Sequence, residues 1–475
     1  MVVSLAPTCD RCGGYQQRIL ALEAELDQAR AKIEDLQEQL AVAKKDSSTS
    51  HKPPSSDIVK PPKNPTTDGS TRAPGGQPGH PHHQRQPFPP ELLTDRFHHV
   101  HSCCPDCGGP VHTCALPARI VQQIDVPEIP HSIEEHRSYE SWCPHCQKHC
   151  TAPLPEHIAN GGLFGPYLRT LVAYLKGVCH ASFSTIRKYF RDILQIAISR
   201  GYLAKVIRQV SDALQAPYDE LLAQLKNAPV VNTDETGHPH AGKNWWTWVF
   251  RAELYTVFRV DPHRSADVLF AVLGKKFRGV LGCDQFSAYH RYMRTCDVRI
   301  QWCMAHLIRE VKFLTTLPGV AAKAYGKRLR DALRELFAVI HQHEALSESV
   351  FEQKLQEART RILEVGTQDV PDNKYCANIA ERLRIHGEGY FLFITTPGVQ
   401  PTNNAAEQAI RFVVIDRYIT QGTRSLTGQR WSERIWTVVA TCVQQGRSVH
   451  DFLQECITAH LQKTAKPSLV PTATP

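Results

Sequence analysis

The first clear pattern along the chain is a run of apolar residues that recur every three or four positions across residues 19–43. The positions between them are mostly Glu, Gln, Lys, Arg and Asp. The apolar positions are Ile19, Leu22, Leu26, Ala29, Ile33, Leu36, Leu40 and Ala43. A repeat of this kind leaves an apolar seam that one helix cannot bury alone. It predicts a coiled coil over residues 13–45 and hence a homo-oligomer. The alternative is one amphipathic helix lying on the body of the protein.

A second helical pattern fills residues 153–226. One helix is predicted over residues 182–194, and another begins at Ser199, which is a suitable N-cap residue. Residues 195–198 form a short break between them. This is the spacing of a helix-turn-helix, whose second helix can enter the major groove of DNA. Any two helices joined by a short turn give the same spacing, so that alternative stays open.

Beyond residue 228 the pattern changes to short apolar strands mixed with one helix. The predicted strands are residues 229–234, 245–250, 254–260, 279–284 and 297–302, and the predicted helix is 265–274. The order of strand, hairpin, helix, strand and strand, with acids at strand ends, matches a ribonuclease H-like core. We therefore predict a multidomain protein with an α/β ribonuclease H-like domain over residues 227–450 and a C-terminal helix and tail over 451–475.

Composition separates two further regions in the N-terminal part. Residues 46–100 are rich in Pro, Gly, Ser and Thr, which disfavour helix and sheet, so they are predicted to be a linker. Residues 101–152 carry two Cys-Pro-x-Cys pairs and are predicted to be a small zinc-binding domain. The expected structural Zn²⁺ ligands are Cys104, Cys107, Cys143 and Cys146.

The chain has 16 cysteines, so other assignments stay open. The paired cysteines can be unligated thiols. Cys103, Cys114 and Cys150 are possible substitute ligands, and Cys9 with Cys12 resembles a further zinc knuckle. We expect a cytoplasmic protein, because there is neither a signal-type apolar segment at the start nor a transmembrane-length apolar run. Disulfides are not expected in that compartment.

The net charge of +8 is concentrated in the helical region. Residues 161–214 hold eight Lys and Arg residues against two Asp residues. This concentration is typical of a surface that binds a polyanion such as DNA, although a solvated helix face would give the same pattern. The candidate DNA-binding residues here are Arg187, Lys188, Arg200, Lys205 and Arg208.

Three acids stand where they could form a metal site. Asp234 and Asp284 each end a predicted strand, and Glu407 lies early in a later helix. Three carboxylates can hold two Mg²⁺ or Mn²⁺ ions that activate a water or a 3′-hydroxyl for attack on a phosphodiester. Each acid also has a structural alternative. Asp284 can cap the helix after it, Asp234 can stabilise the following turn, and Glu407 can complete a capping box with Asn404.

Several motifs in this order resemble the transposases of insertion-sequence family sixty-six. They are Asn232-Thr-Asp-Glu-Thr-Gly, Gly242-Lys-Asn-Trp-Trp-Thr-Trp-Val-Phe, Gly282-Cys-Asp-Gln-Phe-Ser-Ala-Tyr, Trp302-Cys-Met-Ala-His with Arg309, and Asn403-Asn-Ala-Ala-Glu-Gln-Ala-Ile-Arg. The coiled coil, the linker and the Cys pairs also fit this family. The resemblance therefore covers nearly the whole chain.

The resemblance implies a DDE transposase with Asp234, Asp284 and Glu407 as its metal-binding triad. Such an enzyme frees 3′-hydroxyls at the ends of its element and uses them to attack target DNA. It would be a bacterial, nucleoid-associated protein that binds element ends and target DNA, with accessory element-encoded proteins as possible partners. The alternatives are a catalytically silent DNA-binding relic and a related nuclease that performs no strand transfer.

The resemblance also bears on the residues around the triad. Glu235 should point to the opposite face of its strand from Asp234. Arg411 lies one helical turn beyond Glu407 and could contact DNA phosphate or orient the glutamate. Cys303 and His306 form a C-x-x-H motif, for which we weigh a structural role against zinc binding. Asp284 and Glu407 are far apart in the sequence, and residues 307–365 have helical periodicity, so a helical insertion is predicted at about residues 307–396.

Overall fold

The computed structural model describes residues 10–46, 48–49, 86–97, 101–103, 105–110, 112, 120, 122, 131–159 and 162–471. The chain divides into two compact units. One comprises Met1–Pro61 with His136–Pro475, and the other comprises Pro62–Glu135. In the described part of the smaller unit, a short 3-10 helix spans Pro90–Leu92, and the side chain of Gln122 bonds both backbone groups of Phe88.

The larger unit begins with a long helix, α1 (Asp10–Ala43), which confirms the predicted helix. Its apolar positions remain about half exposed in the single chain; Ile19, Leu22, Leu26, Ile33, Leu36 and Leu40 have exposed fractions of 48–54%. Near the end of the helix, Glu38 contacts Lys374 at 3.0 Å and Asn373 at 3.2 Å. The ammonium group of Lys45 lies 3.6 Å from the centre of the Phe313 ring. The body of the protein therefore holds the end of α1, while the predicted coiled-coil seam remains a prediction.

A two-stranded hairpin and a short helix follow in the same unit. Strands β1 (Glu140–Cys143) and β2 (Lys148–Thr151) pair antiparallel, and α2 spans Glu156–Ala159. Cys143 ends β1, and Cys146 lies in the turn between the strands. The hairpin thus presents one predicted pair of zinc ligands at its tip.

Four helices form the next part of the unit, and two of them confirm the predicted helical pair. They are α3 (Pro166–Gly177), α4 (Phe183–Asp192), α5 (Arg200–Ala213) and α6 (Gln215–Gln224). The hydroxyls of Ser182 and Ser199 accept backbone N–H bonds from Thr185 and Tyr202, which caps the starts of α4 and α5. The inner faces of α3–α6 belong to the main hydrophobic core.

A five-stranded mixed sheet forms the centre of the α/β region. Its strands are β3 (Val230–His240), β4 (Lys243–Arg251), β5 (Thr256–Asp261), β6 (Val280–Cys283) and β7 (Arg299–Trp302). The spatial order is β5-β4-β3-β6-β7. The first three strands pair antiparallel, while β3, β6 and β7 run parallel. Helix α7 (Ala266–Val272) precedes β6, and α8 (Ser287–Cys296) connects β6 to β7.

The predicted strands are confirmed in number and order, but β3 is longer than expected. It continues beyond Asp234 through Gly237 and Pro239, two residues with low strand propensity. Pairing with β4 sustains this extension, since Gly237 faces Trp246 and Pro239 faces Asn244. The predicted end at Asp234 is therefore wrong, because the cross-strand partner outweighs local preference.

Helices make up most of the described chain after β7. Helices α9 (Met304–Leu314), α10 (Val320–His341), α11 (Glu348–Thr367), α12 (Lys374–His386) and the short α13 (Leu392–Thr395) occupy the region predicted to be a helical insertion. The last three are α14 (Asn404–Thr420), α15 (Leu426–Gln444) and α16 (Val449–Leu461). Among the described residues, no helix is both long and apolar enough to span a membrane.

Helix α14 touches two parts of the unit. It packs against β3. Farther along the helix, Asp416 Oδ1 lies 3.2 Å from Nδ1 of His180, a residue between α3 and α4. The His180 ring also packs against Phe412, with 4.5 Å between the ring centres. One helix therefore links the central sheet to the α3–α4 connection.

Candidate active site

Asp234 lies on β3, and Asp284 comes directly after the neighbouring parallel strand β6. The register pairs Asn232 of β3 with Gly282 of β6. Asp234 and Asp284 each follow two residues later, so they are expected on the same face of adjacent strands. Both strands begin with apolar residues that are buried or half-buried, and Asp234 and Asp284 each follow the end of such an apolar run. Parallel strands with acids in matching positions thus bring two carboxylates to one edge.

A network centred on Asn403 fixes the start of α14 against these strands. Asn232 Nδ2 donates to Asn403 Oδ1 at 3.0 Å, and Asn403 Nδ2 donates to the Thr233 carbonyl at 2.8 Å. The Asn403 amide also donates to Cys303 Sγ at 3.1 Å. Asn403 is 2% exposed, so these bonds are shielded from water. The network joins β3, the end of β7 and α14 at a single residue.

Gly282 gives this network its room. A Cβ at Gly282 would lie 2.6 Å from Asn232 Nδ2, closer than real contacts allow. Gly282 and Asn403 both stand in the family motifs, but no structural role for either residue was predicted from the sequence. A glycine inside an apolar strand is a signal of close approach by another group, and it was available in the sequence.

Glu407 is the fourth residue of α14, and its carboxylate faces basic groups of α9. Its Oε1 lies 3.5 Å from Arg309 Nη2 and 3.8 Å from His306 Nδ1. The N-cap of α14 is Asn403, and its side chain caps no helix amide. The alternative of a capping box between Asn404 and Glu407 is therefore wrong, because the helix starts one residue earlier than that arrangement needs.

The electrostatics of Asp234 connect the three predicted triad acids. Burial raises the pKa of Asp234 well above its ordinary value, and the charges of Glu235, Asp284 and Glu407 raise it further. The amide of Glu235 donates to Asp234 Oδ1 at 2.9 Å, which opposes this rise in pKa. Several carboxylates are therefore close enough to repel one another, and a bound cation would relieve that repulsion.

Asp284 also takes part in the local turn. Its Oδ1 accepts a bond from the Phe286 amide at 2.9 Å, just before α8 begins at Ser287. The structural alternative for Asp284 thus has some basis, since this carboxylate does order the turn. One hydrogen bond of this kind leaves the carboxylate beside Asp234, and it is compatible with a role in metal binding.

Glu235 differs from Asp234 in being engaged by side chains of the protein. Its carboxylate accepts bonds from Tyr289 Oη at 2.5 Å and from Arg264 Nε and Nη2 at 3.0 and 2.8 Å. The Arg264 guanidinium lies over the Phe286 and Trp246 rings, at 4.1 and 4.6 Å from their centres. Burial and Asp284 raise the pKa of Glu235, while Tyr289 and Arg264 lower it. Glu235 is thus held by neighbouring side chains, as a positioning residue would be.

Cys303 and His306 lie beside Glu407. Cys303 immediately precedes α9, and burial raises the pKa of its thiol to about 11. The ligand atoms of Cys303, His306 and Glu407 all lie within 4.8 Å of one another. Within the described part of the chain, this is the one group of three His, Cys, Asp or Glu residues that meets this distance.

The structure brings three of the predicted DNA-binding residues to one surface. Arg187, Lys188 and Arg200 line a concave surface together with Arg191, and the hollow that it forms has a volume of about 560 Å³. Arg187 Nε donates to the Ile198 carbonyl at 2.9 Å, and Arg200 Nη2 donates to Ser184 Oγ at 2.7 Å. These bonds tie α4 to the start of α5. The concave surface is therefore both basic and preformed.

The remaining predicted DNA-binding residues lie outside that concave surface. Lys205 and Arg208 are exposed farther along α5. Arg411 is exposed on α14, one turn after Glu407. Five of the six predicted DNA-binding residues thus lie on α4 and α5, and the sixth lies on α14.

The predicted zinc ligands are divided between the two units. Cys143 and Cys146 lie in the β1–β2 hairpin, where hydrogen bonds from the backbone and thiol of Cys146 and from the His145 backbone lower the pKa of the Cys143 thiol. Cys107 is exposed in the smaller unit, and Cys104 lies outside the described residues. The two hairpin cysteines thus stand three residues apart at one tight turn, which is the sequence spacing of a zinc knuckle. The four-cysteine site remains a prediction.

Comparison with known proteins assigns the chain to a family. The model of the Transposase IS66 family matches residues 161–430, and a model of a family of unknown function, DUF6444, matches residues 13–86. An uncharacterized protein, y4qI of Sinorhizobium fredii (strain NBRC 101917 / NGR234), is 25% identical over 344 residues. The match covers 65% of this chain and 61% of the relative, so the chain spans less than two thirds of that relative's length. Since the transposase model covers more than half of the sequence and contains all three predicted acids, the chain belongs to the IS66 transposase family.

Proposed function

We propose that this protein is a DDE transposase that cuts the ends of its insertion element and joins the freed 3′-ends to target DNA. Asp234, Asp284 and Glu407 form the proposed metal-binding triad. The observation that carries this proposal is geometric: the β3–β6 register sets Asp234 and Asp284 level with each other, and the side-chain bonds of Asn403 hold the start of Glu407's helix against β3. Three acids from distant segments of the chain repel one another when they converge, so their convergence indicates a functional site.

The sheet supports a ribonuclease H-like fold for the catalytic domain. In sequence order, three antiparallel strands are followed by two parallel ones, with the first strand at the centre. Asp234 lies on that central strand, Asp284 follows its parallel neighbour, and Glu407 comes from a helix packed on the same strand. This arrangement lets acids from distant segments serve one reacting phosphate.

The donor set fits divalent cations that prefer oxygen, such as Mg²⁺ or Mn²⁺. Asp234, Asp284 and Glu407 would hold two such ions, whose chemistry is to activate a water or 3′-hydroxyl and to stabilise the leaving oxygen. Asn403 and Asn232 hold Glu407's helix against Asp234's strand. Arg264 and Tyr289 hold the Glu235 carboxylate in place beside Asp234.

The basic surface on α4 and α5 is the proposed contact for element-end DNA. Arg187, Lys188 and Arg200 line it, Lys205 and Arg208 extend it along α5, and Arg411 is placed to contact phosphate near Glu407. Contacts of this kind with phosphate make affinity fall with salt. We expect Lys205→Ala to lower the salt dependence of DNA binding by about one counterion.

The N-terminal region is proposed to mediate self-association and to bind structural zinc. The half-exposed apolar seam of α1 suits pairing with a second copy of the chain, because such a seam is stable only when covered. Cys143 and Cys146 are proposed as ligands of structural Zn²⁺, and Cys104 and Cys107 are proposed in the same role. Accessory proteins from the element are possible further partners.

The test is Mg²⁺-dependent cleavage of DNA carrying the ends of the protein's own element. Asp284→Asn should abolish end-specific nicking, since it removes a triad carboxylate while keeping nearly the same shape. Asp297→Asn is the matched control, because Asp297 is exposed at the end of α8, and asparagine also tolerates its left-handed conformation (φ 51°). Equal activity in the wild type and Asp284→Asn would remove Asp284 from the site.

Product analysis separates the proposal from its two alternatives. A transposase joins the freed 3′-end to a second DNA, whereas a nuclease leaves cut ends unjoined. A catalytically silent relic binds the ends but cuts neither strand in Mg²⁺ or Mn²⁺. Joined products that depend on Asp284 would support the transposase, and end binding without cleavage would overturn it.

A further inference from the structure

Cys303, His306 and Glu407 form a second group of potential metal ligands beside the proposed triad. Cys303 occupies the N-cap position of α9, and His306 is the third residue of that helix. Side chains at these two positions of a helix lie on the same side of its first turn, as in a capping box. Glu407 reaches them from α14. Helix geometry thus supplies two ligands, and the packing of α14 supplies the third.

The distances between the donor atoms are close to those of a tetrahedral metal site. All three ligand atoms lie within 4.8 Å of one another, and His306 Nδ1 is 3.8 Å from Glu407 Oε1. The Asn403 amide fixes the Cys303 sulfur with a 3.1 Å hydrogen bond. Shifts of the His306 and Glu407 side chains by a fraction of an ångström to about 1 Å would give the ligand separations of a tetrahedral ion. The helix starts therefore place the donors before any ion binds.

The chemistry of the donors selects the kind of ion. A thiol, an imidazole and a carboxylate are ligands of Zn²⁺, whereas Mg²⁺ prefers oxygen alone. Three protein ligands leave a fourth position for water. Arg309 Nη2 lies 3.5 Å from Glu407 Oε1 and competes with a cation for that oxygen. Arg309 is on the same helix as His306, and its side chain is 25% exposed.

We propose that Cys303, His306 and Glu407 form a Zn²⁺ site, and that Zn²⁺ there withdraws Glu407 from the catalytic metals and so inhibits the reaction. The binding half stands on the geometry alone. The inhibitory half rests on the proposed function, since it takes Glu407 as a catalytic ligand. Zn²⁺ and Mg²⁺ then compete for the Glu407 carboxylate. The other proposed ligands are Cys303 and His306 for Zn²⁺, and Asp234 and Asp284 for Mg²⁺.

The first experiment counts ions. Full-length protein is dialysed against buffered Zn²⁺, and its zinc content is measured by elemental analysis. Cys303→Ser, His306→Gln and Glu407→Gln should each contain one ion per chain fewer than the wild type. Cys283→Ser is the matched control, because Cys283 is a buried cysteine like Cys303 but ends β6 and lies outside the cluster. It should keep the wild-type zinc content.

Cobalt gives a second readout that does not depend on activity. With Co²⁺ in place of Zn²⁺, the wild type should show more thiolate-to-metal charge-transfer absorption than Cys303→Ser, and Cys283→Ser should match the wild type. Wild-type zinc content in both Cys303→Ser and Glu407→Gln would overturn the site. Glu407 is 23% exposed, so its variant tests the site without removing a fully buried group.

The second experiment measures inhibition in the Mg²⁺-dependent cleavage assay. Each protein is compared with its own rate without Zn²⁺. Loss of even an outer partner of a metal site costs about 10–100-fold in affinity, so we expect Cys303→Ser to raise the half-inhibiting Zn²⁺ concentration by about 100-fold or more. Excess Mg²⁺ should reverse inhibition of the wild type. Equal zinc sensitivity in the wild type and Cys303→Ser would overturn the inhibitory half. Inactivity of every protein would instead count against the proposed function, and the ion count would still decide the binding half.

Discussion

Replacing Asn403 by alanine should destabilise the core of the larger unit more than the same replacement of the neighbouring Asn404. The Asn403 side chain makes two bonds, one from Asn232 Nδ2 at 3.0 Å and one to the Thr233 carbonyl at 2.8 Å. Asn403→Ala removes both and keeps the amide bond to Cys303. The variant therefore tests whether the side chain itself holds α14 on β3.

The magnitude follows from burial. Asn403 is 2% exposed and Thr233 is fully buried, so water cannot readily replace the lost bonds. A buried polar group left unsatisfied costs about 1–3 kcal/mol. Two such groups give roughly 2–6 kcal/mol, and relaxation of Asn232 toward solvent favours the lower half of that range. We expect a loss of about 3 kcal/mol.

Urea unfolding followed by tryptophan fluorescence is a suitable assay, because six of the seven tryptophans lie within residues 245–436. Asn404→Ala is the matched control, since Asn404 is exposed and begins the same helix. It should change the free energy of unfolding by less than about 0.5 kcal/mol. If both variants lose the same amount, the buried network does not hold α14, and the reasoning is refuted.

Three further predictions follow from other groups near the sheet. Gly282→Ala should destabilise the protein in the same assay and should be non-additive with Asn403→Ala, because its Cβ would lie 2.6 Å from Asn232 Nδ2. Asp234→Asn should raise the thermal midpoint of metal-free protein at pH 7. Because the folded protein has a raised Asp234 pKa, the wild type loses stability as the pH rises above 3.8, the ordinary pKa of an aspartate. An asparagine at this position does not ionise, so the variant avoids that loss. Mg²⁺ should then stabilise the wild type more than the variant. Burial lowers the pKa of His238 from 6.5 to about 4, so its neutral form contributes stability that is lost as pH falls through this interval, by up to about 3 kcal/mol. His238→Gln should flatten the pH dependence of the thermal midpoint between pH 6.5 and 4, and an unchanged slope would contradict this account.

The sequence was sufficient for the parts of the fold that depend on local patterns. Apolar runs ending in acids located the strands around Asp234 and Asp284, and the serine N-cap located α5. Parallel strands then imply that acids at strand ends meet. The helical insertion followed from the periodicity of residues 307–365.

The parts that were missed depend on contacts between distant residues. The bond between Asn232 and Asn403 joins positions 171 residues apart, and no local pattern encodes it. The end of β3 depended on pairing with β4, which carries Gly237 and Pro239 into the sheet. Helix α14 starts one residue earlier than the capping-box alternative for Glu407 requires, and only the packing of this helix start decides between the two.

The double attachment of α14 makes it a lever. Asp416, which meets His180 near the basic helices, lies nine residues after Glu407 on one continuous helix. At 1.5 Å per residue the arm is about 14 Å long, so a tilt of about 5° about Asp416 moves the Glu407 backbone by about 1 Å. A misplacement of 1 Å can cost about 100-fold in rate. Small movements of the α3–α4 connection can therefore change the position of the Glu407 carboxylate relative to Asp234 and Asp284.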